Sequence, residues 1–276
     1  MYNIYSLQSE EVKMLTNSQH TTERITGWIK KFFDENGKKS YAIVGISGGK
    51  DSATVAALCV KALGKERVIG VLLPNGEQKD IDDARKTVKL LDIKNITLNI
   101  KKVNESMRDM LEESEEMRKI SGRNELTEDA KINIIPRLRM TALYAVAQML
   151  PEGGRVANTC NLSEDYVGYS TKFGDSAGDF APIAGLLVEE VKQIGKCLEL
   201  PDEIVEKTPS DGLSGLSDEE KIGFTYKTLD KYILTGICEN DETKKRIDGM
   251  HKANLHKLKK IPAYEPDSLD RKLTVK

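Results

Sequence analysis

The sequence has few of the features that define several large classes of protein. Only four of its 276 residues are cysteines, and Cys59, Cys160, Cys197 and Cys238 contain no C-x-x-C pair, so neither a zinc site nor a disulfide framework is indicated. No apolar run is long enough to cross a membrane, and residues 1–18 lack the apolar core of a signal peptide. We therefore expect a protein of the reducing cytoplasm that does not bind a membrane.

An excess of charge of one sign is also missing. The chain carries 42 basic and 44 acidic residues, a net charge of −2, so a general nucleic-acid-binding surface is not implied and nucleic acid is not an expected partner. No internal repeat or long linker interrupts the chain. We expect one domain over residues 1–276, with an N-terminal arm at 1–20 and a basic C-terminal tail at 250–276.

One short segment carries the clearest chemical signal. The apolar run Tyr41–Ile46 leads into Ser47-Gly48-Gly49-Lys50-Asp51-Ser52, and Ala53–Leu63 follows. We predict a buried strand, a tight loop and a helix, with glycines that let the backbone approach a ligand. The loop and the first turn of the helix favour an anion.

This loop has more than one possible interpretation. Asp51 would repel a phosphate, so its presence suggests a bridging cation such as Mg²⁺. The alternative is an ordinary turn in which Asp51 or Ser52 caps the helix. The loop matches neither the G-x-x-x-x-G-K-[ST] nor the G-x-G-x-x-G pattern.

Strand and helix patterns alternate along the first half of the chain. Apolar spacing predicts a helix over Thr22–Asn36, a strand over Arg67–Leu73, a helix over Ile81–Leu91 and a strand over Ile96–Ile100. This alternation predicts an α/β fold, in which a parallel sheet has helices on both faces.

The second half is predicted to continue this pattern. We expect one charged helix over Val103–Ile120, a helix over Asn133–Leu150 that starts near Pro136, a fourth strand over Arg155–Asn158 and a helix over Val188–Leu198. Residues 207–216 are rich in turn formers and predict a lid. A capping box at residues 217–220 predicts a helix that continues through residue 233.

Five segments together resemble one enzyme family. They are Gly45–Ser52, Pro74–Asp80, Asn158–Glu164, Lys172–Pro182 and Pro209–Leu213. At these spacings the chain is similar to ammonia-dependent NAD synthetases, members of the ATP pyrophosphatase group. The resemblance implies a Rossmann-like fold of the adenine nucleotide alpha hydrolase type.

The resemblance also implies a reaction. ATP adenylates the nicotinate carboxylate of deamido-NAD, ammonia attacks the mixed anhydride, and the products are NAD, AMP and pyrophosphate, in the last step of NAD biosynthesis. Such chemistry needs positioning and charge neutralisation rather than a covalent nucleophile. Mg²⁺ as cofactor and a homodimer are implied as well, with residues 22–36 and 133–150 as candidate interface helices.

The resemblance assigns roles to individual residues. The implied ATP-binding residues are Gly45, Ile46, Ser47, Gly48, Gly49, Lys50, Asp51, Ser52, Thr159 and Ser210; the Mg²⁺ ligands are Asp51 and Glu164; the deamido-NAD-binding residues are Arg139, Lys172, Asp179, His256 and Lys257. Structural alternatives are a first-turn helix acid for Glu164, a surface arginine for Arg139, a loop ion pair for Lys172 and Asp179, and a solvated tail for His256 and Lys257.

The chain departs from the family pattern at Val188, where a lysine that contacts an ATP phosphate is usual. We hypothesise that Lys192 or Lys50 supplies this charge. The departure keeps a non-catalytic nucleotide sensor open as an alternative. A tRNA-modifying or GMP-forming ATP pyrophosphatase is another, although the net charge of −2 does not favour RNA binding. No glutaminase domain is recognised, so free ammonia is the expected nitrogen donor.

Overall fold

Four parallel strands form the centre of the computed structural model, which describes residues 14–78, 81–207 and 217–264. The strands are β1 (Tyr41–Gly45), β2 (Val68–Leu72), β3 (Lys94–Thr97) and β4 (Gly154–Val156), in the spatial order β3-β2-β1-β4. The neighbouring strands pair in parallel register. The predicted parallel α/β sheet is thus confirmed, although β3 begins two residues earlier than predicted and lies exposed at the edge.

Twelve α-helices are assigned in the described ranges. They are α1 (Ser18–Asn36), α2 (Lys50–Leu63), α3 (Ile81–Leu90), α4 (Lys101–Glu113), α5 (Glu115–Ser121), α6 (Glu128–Met149), α7 (Leu162–Val167), α8 (Val188–Cys197), α9 (Asp202–Val205), α10 (Asp218–Ile222), α11 (Tyr226–Thr235) and α12 (Asp241–Leu258). Within these ranges no helix has the length and apolar character needed to cross a bilayer.

Alternate side chains of the central strands face opposite sides of the sheet. Ala42 and Val44 of β1 belong to a core cluster shared with α1, α2, α3 and α8, whereas Ile43 of β1 belongs to a second cluster with α6. This is the two-residue period of a strand buried on both faces. Helices therefore cover both faces, as predicted.

A third apolar cluster lies among the C-terminal helices. It joins Val167 of α7, Val188 of α8, Ile222 of α10, Leu229 of α11 and Ile247 of α12, each of them buried. The cluster connects the C-terminal helices to α7, the short helix that follows β4.

The predicted start of α6 is wrong, and so is the prediction of one continuous helix from residue 217 through residue 233. α6 begins at Glu128, five residues before the predicted start, because the Thr127 side chain accepts a hydrogen bond from the Ala130 amide and caps the helix there. Pro136 therefore lies inside α6. α10 ends at Ile222, because Gly223 follows with a left-handed φ of +82° and caps it. The Thr225 side chain then caps the start of α11.

The remaining corrections concern charged segments. Ser114 divides the predicted charged helix, because its hydroxyl accepts a hydrogen bond from the Met117 amide and starts α5. The first part of the predicted C-terminal tail, to Leu258, is the end of α12. The predicted lid at 207–216 lies outside the described residues except for Lys207, and the single-domain organisation stays a prediction.

Candidate active site

The glycine loop connects β1 to α2 and leaves the start of α2 without a side-chain cap. Gly48 has a φ of +87°, which requires glycine. A Cβ at Gly49 would meet only the Ser47 hydroxyl, at 3.5 Å, so packing does not require this second glycine. Gly49 precedes the first helical residue, and neither Asp51 nor Ser52 caps the helix. The alternative in which Asp51 or Ser52 caps the helix is therefore wrong, and the ligand-binding role of the loop stays a prediction.

A cavity of about 740 Å³, here called the first cavity, opens beside this loop. Of the residues implied by the family resemblance, its lining includes Gly45, Ile46, Ser47, Gly49, Lys50, Asp51, Ser52, Arg139, Thr159 and Glu164. Its volume is typical of sites for small molecules. Ser210 lies outside the described residues.

Lys50 and Asp51 form a buried ion pair on the wall of the first cavity. The Lys50 side chain is 2% exposed, and its Nζ lies 2.8 Å from Asp51 Oδ2. Asp51 Oδ1 accepts a hydrogen bond from the side-chain amide of Asn161, at 3.1 Å. Burial acts to lower the pKa of Lys50, but the charges of Asp51 and Glu164 outweigh it and the pKa is raised. The ammonium therefore stays protonated.

Glu164 stands in the first turn of α7, inside a capping box. Its amide donates to Asn161 Oδ1 at 3.0 Å, and its carboxylate accepts from the Asn161 amide. Burial, and then the charge of Asp51, raise the pKa of Glu164 well above its usual range. The structural alternative, a first-turn helix acid, thus describes the local geometry of Glu164. It does not explain why Glu164 lines the first cavity together with Asp51.

The donor set fits a magnesium ion. Mg²⁺ is usually held by one or two carboxylates, with water and phosphate oxygens as the other ligands. Asp51 and Glu164 supply two carboxylates, and the nearby Tyr226 hydroxyl is buried without a hydrogen-bond partner in the described part of the chain. No group of three or more His, Cys, Asp or Glu side chains converges on one point within the described ranges. The geometry therefore favours a shared ion whose remaining ligands come from a nucleotide.

Of the two lysines considered as a replacement at position 188, only Lys50 lines the first cavity. Lys192 Nζ lies 2.7 Å from Glu189 and 3.5 Å from Glu206. Val188 is 2% exposed and belongs to the C-terminal cluster.

The sequence did not reveal several cavity residues. They are Cys160, Asp175, Lys207, Asp218 and Lys221. Asp175 is the best example: its Oδ1 accepts the Thr171 amide at 2.8 Å, and burial raises the pKa of its carboxyl group. Its position in the acidic and glycine-rich segment after β4 was the only available signal.

A second cavity, of about 500 Å³, lies on the other side of Met140, which lines both cavities. Arg137, Tyr144 and Phe173 are among its lining residues. The Tyr144 hydroxyl donates to Asp179 Oδ1 at 3.1 Å, and burial, followed by the charge of Asp179, raises the pKa of Tyr144 to about 12. Asp179 is therefore held against the wall of the second cavity.

The other predicted substrate residues contact the backbone. Arg139 Nε donates to the Leu73 carbonyl at 3.1 Å, and the guanidinium is buried rather than a surface group. Lys172 Nζ donates to the His256 carbonyl at 3.1 Å, so the structure pairs it with α12 and not with Asp179.

Lys257 is tied to the segment that follows α7. Its Nζ donates to the carbonyls of Gly168 at 2.8 Å and Ser170 at 3.0 Å, so the solvated-tail alternative is wrong for Lys257. The His256 ring is exposed, and its Nδ1 lies 3.1 Å from the Ala253 carbonyl, within its own helix.

Comparison with known proteins agrees with this architecture. A family model described as NAD synthase matches residues 21–267. The chain belongs to the NAD synthase family. The NH3-dependent NAD+ synthetase of Finegoldia magna is 36% identical over 247 residues, which cover 89% of this chain and 95% of that protein. The corresponding enzyme of Carboxydothermus hydrogenoformans is 37% identical over 251 residues, 90% of this chain and 98% of that protein.

Solved structures show the same fold. The NMN synthetase of Francisella tularensis has a TM-score of 0.77 and 32% identity, and covers 92% of this chain and 100% of its own. The NH3-dependent NAD synthetase of Campylobacter jejuni, in complex with a nitrate ion, has a TM-score of 0.69 and 25% identity, with 91% and 100% covered. The NAD synthase family has the adenine nucleotide alpha hydrolase fold, and membership favours the predicted ligase over the other ATP pyrophosphatases and the sensor.

Proposed function

We propose that the protein converts deamido-NAD, ATP and ammonia into NAD, AMP and pyrophosphate. The observation that carries this proposal is the first cavity, where the uncapped start of α2 faces two half-buried carboxylates and one buried ammonium. Such a site suits a nucleotide polyphosphate with a divalent cation. Family membership supplies the reaction class.

The first step is adenylation of the nicotinate carboxylate. A carboxylate oxygen attacks the α-phosphorus of ATP, the bond from that phosphorus to the bridging oxygen breaks, and pyrophosphate leaves with the electron pair. The amides of the first turn of α2 bind the departing phosphates, since no side chain caps this helix. Asp51 and Glu164 hold Mg²⁺, which neutralises phosphate charge when it is bound.

In the second step ammonia attacks the acyl carbon. A carbon–nitrogen bond forms, the bond from that carbon to the phosphate oxygen breaks, AMP leaves and one proton is lost. We place the nicotinate end of the substrate near Met140, since this residue lines both cavities. Arg139, Lys172 and Asp179 are proposed to contact deamido-NAD directly, and His256 and Lys257 to do so from α12.

An isotope experiment tests both steps together. Deamido-NAD labelled with ¹⁸O in its nicotinate carboxylate is incubated with the protein, ATP, Mg²⁺ and ammonium, and the products are separated and weighed by mass spectrometry. With both carboxylate oxygens labelled, we expect NAD with one ¹⁸O atom in its amide and AMP with one ¹⁸O atom in its phosphate. Label in pyrophosphate, or an absence of NAD, would contradict the proposal. Glutamine in place of ammonium is expected to give no NAD.

The structural match to an NMN synthetase favours one second candidate. The Francisella protein has a higher TM-score than the Campylobacter NAD synthetase, so a mononucleotide with a nicotinate carboxylate is an alternative acceptor. Measuring kcat/KM for deamido-NAD and for nicotinate mononucleotide decides between them. A ratio above about 100, equal to roughly 2.7 kcal/mol of transition-state binding, identifies the preferred acceptor.

We also propose a homodimer in the cytoplasm. Both candidate interface helices carry large exposed apolar side chains, Trp28 at 46% on α1 and Met149 at 84% on α6. The four cysteines are free thiols, which suits a reducing compartment. Light scattering behind a sizing column measures the mass, and a mass of one chain at micromolar concentration would refute the dimer.

A further inference from the structure

Lys50 stands where electrostatics disfavours a positive charge. It is the first residue of α2, at the positive end of the helix dipole, and its side chain is 2% exposed. A buried ammonium is unfavourable unless it is paired. Departures from such local rules gather at functional sites.

The partners of Lys50 are the groups that fit the metal ion. Its Nζ is 2.8 Å from Asp51 Oδ2, and the charge of Glu164 acts on it as well. Two half-buried carboxylates in one cavity favour a cation that balances them. In the molecule without nucleotide, the ammonium of Lys50 is that cation.

The other basic groups of the first cavity are committed elsewhere or are more exposed. Lys207 Nζ lies 2.7 Å from Asp83 Oδ2, and the Arg139 guanidinium donates to the Leu73 carbonyl. Among the cavity lysines in the described ranges, only Lys50 is buried, whereas Lys207 and Lys221 are half-buried. Lys192, the other candidate for the missing lysine, pairs with Glu189 and Glu206.

We propose that Lys50 is a catalytic residue that exchanges one partner for another. Without nucleotide, its ammonium neutralises Asp51 and Glu164. When ATP binds with its magnesium ion, Lys50 releases these carboxylates to the ion and turns its Nζ to a phosphate oxygen. It keeps its proton and neutralises the charge that develops on pyrophosphate as the bond to the α-phosphorus breaks. This inference rests on the proposed function, and it assigns to Lys50 the charge that Val188 lacks.

The exchange can be measured without turnover. Mn²⁺ binding to the folded, nucleotide-free protein is followed by electron paramagnetic resonance for the wild type, Lys50→Met and the control Lys192→Met. Loss of the competing ammonium should tighten Mn²⁺ binding in Lys50→Met by about 10-fold or more. Lys192→Met should bind Mn²⁺ as the wild type does.

Turnover gives the second readout. Lys50→Met should lower kcat by about 10²- to 10³-fold, the usual effect of removing one donor to a developing negative charge. Lys50→Arg, which keeps the charge, should recover part of that loss. Lys192→Met should stay within about twofold of the wild type. Circular dichroism and Tm establish that each variant is folded, and Lys50→Gln takes the place of Lys50→Met if the latter is not.

Two results would overturn the inference. One is a kcat for Lys50→Met within about threefold of the wild type, which is too small for a lost charge contact. The other is a loss of Mn²⁺ affinity in that variant, which would make Lys50 a structural support. If the wild type forms no amide from any nicotinate acceptor, the proposed function fails, but the Mn²⁺ measurement still decides whether Lys50 competes with the ion.

Discussion

Within the glycine loop, hydrogen bonds join residues that are close in the sequence, whereas the side-chain bonds of Lys172 and Asp179 join distant segments. Ser47 and Ser52, whose hydroxyls are 3.1 Å apart, are separated by five positions, and Lys50 bonds to its neighbour Asp51. By contrast, Lys172 bonds to a carbonyl 84 positions away. The first cavity therefore has one wall formed by a single continuous segment.

The second cavity depends on the contact of α6 with the segment after α7, which supplies Phe173 and Ala177. Tyr144 on α6 holds Asp179 of this segment, and Lys257 on α12 holds the carbonyls of Gly168 and Ser170, which line the first cavity. Local segments can keep their geometry when a distant helix shifts, but a wall shared by a helix and a distant segment cannot. We therefore expect substitutions near the second cavity to change binding of the nicotinate substrate while ATP binding is conserved.

The largest effect on kcat is expected at Glu164, which lines the first cavity together with Asp51. Glu164→Gln keeps a side chain that suits a capping box but removes the charge, and kcat should fall by about 10³-fold, the equivalent of several kcal/mol of charge stabilisation. Glu190→Gln is the control, because the Glu190 carboxylate likewise accepts from the amide of its N-cap residue, Leu187, at 2.9 Å at the start of α8. A similar loss in both variants would show that helix capping, and not the cavity, is responsible.

A smaller and selective effect is expected at Lys257. Lys257→Met removes two charge-assisted hydrogen bonds to the segment that leads to Lys172. KM for the nicotinate substrate should rise about 10-fold or more, and the Kd for ATP measured by calorimetry should rise by less, although Gly168 and Ser170 also line the first cavity. Lys252→Met, at an exposed position on the same helix, is the control. Equal losses for both substrates would contradict the division between the cavities.

Tyr144→Phe tests the division between the two cavities with a smaller structural change. It removes only the hydroxyl that donates to Asp179 and leaves the ring in the wall of the second cavity. One such bond contributes about 1 kcal/mol, so KM for the nicotinate substrate should rise about fivefold. Tyr264→Phe, at an exposed position, serves as the control. An unchanged KM would mean that Asp179 is held by its other bond, to the Val156 amide.

The smallest effect on activity is expected at Asp230, which lies on α11 and joins α7 to α8. Its buried carboxylate accepts from the Ser163 hydroxyl, next to Glu164, and from the Glu189 amide at 3.2 Å. Asp230→Asn keeps one of these acceptors, so kcat at neutral pH should change by about threefold at most. The larger consequence is for the pH dependence of stability.

Burial raises the pKa of Asp230 from 3.8 to about 6. Between these values the folded protein holds a proton that the unfolded chain has lost, so the free energy of unfolding falls as pH rises through this window. Between pH 4 and pH 7 in urea titrations, this decrease in the free energy of unfolding should be smaller in Asp230→Asn by about 2 kcal/mol. Asp34→Asn, at an exposed position, should keep the wild-type slope. An unchanged pH dependence of the free energy of unfolding in Asp230→Asn would show that the pKa of Asp230 is not raised.

The same contrast explains how far the sequence predicts the structure. The parallel sheet follows from apolar runs that alternate with helical patterns, and the glycine loop from residues in direct succession. The contacts of Asp51 with Asn161 and of Lys172 with α12 span 110 and 84 positions. Without the family resemblance, nothing in the local pattern of Lys257 distinguishes it from a residue of a solvated tail.

Errors in the helices have local physical causes. Pro136 suggested a helix start, but a proline inside a helix removes only one hydrogen bond, and the Thr127 cap with the acidic first turn of Glu128 and Asp129 began the helix earlier. Gly223 ended α10 although the apolar pattern continued. Asp175 and Asp218 were missed because a lone acidic residue has no spacing pattern.

Met140 lines both cavities, which gives it a place beside the proposed intermediate. The mixed anhydride would join an adenylate to a nicotinate, and water that reached it would release AMP without forming an amide. The fidelity of the proposed reaction is therefore the number of NAD molecules made for each AMP released. A flexible thioether beside the anhydride would help to keep water away from the acyl carbon. In the proposed reaction, Met140 would thus help to couple ATP consumption to amide formation.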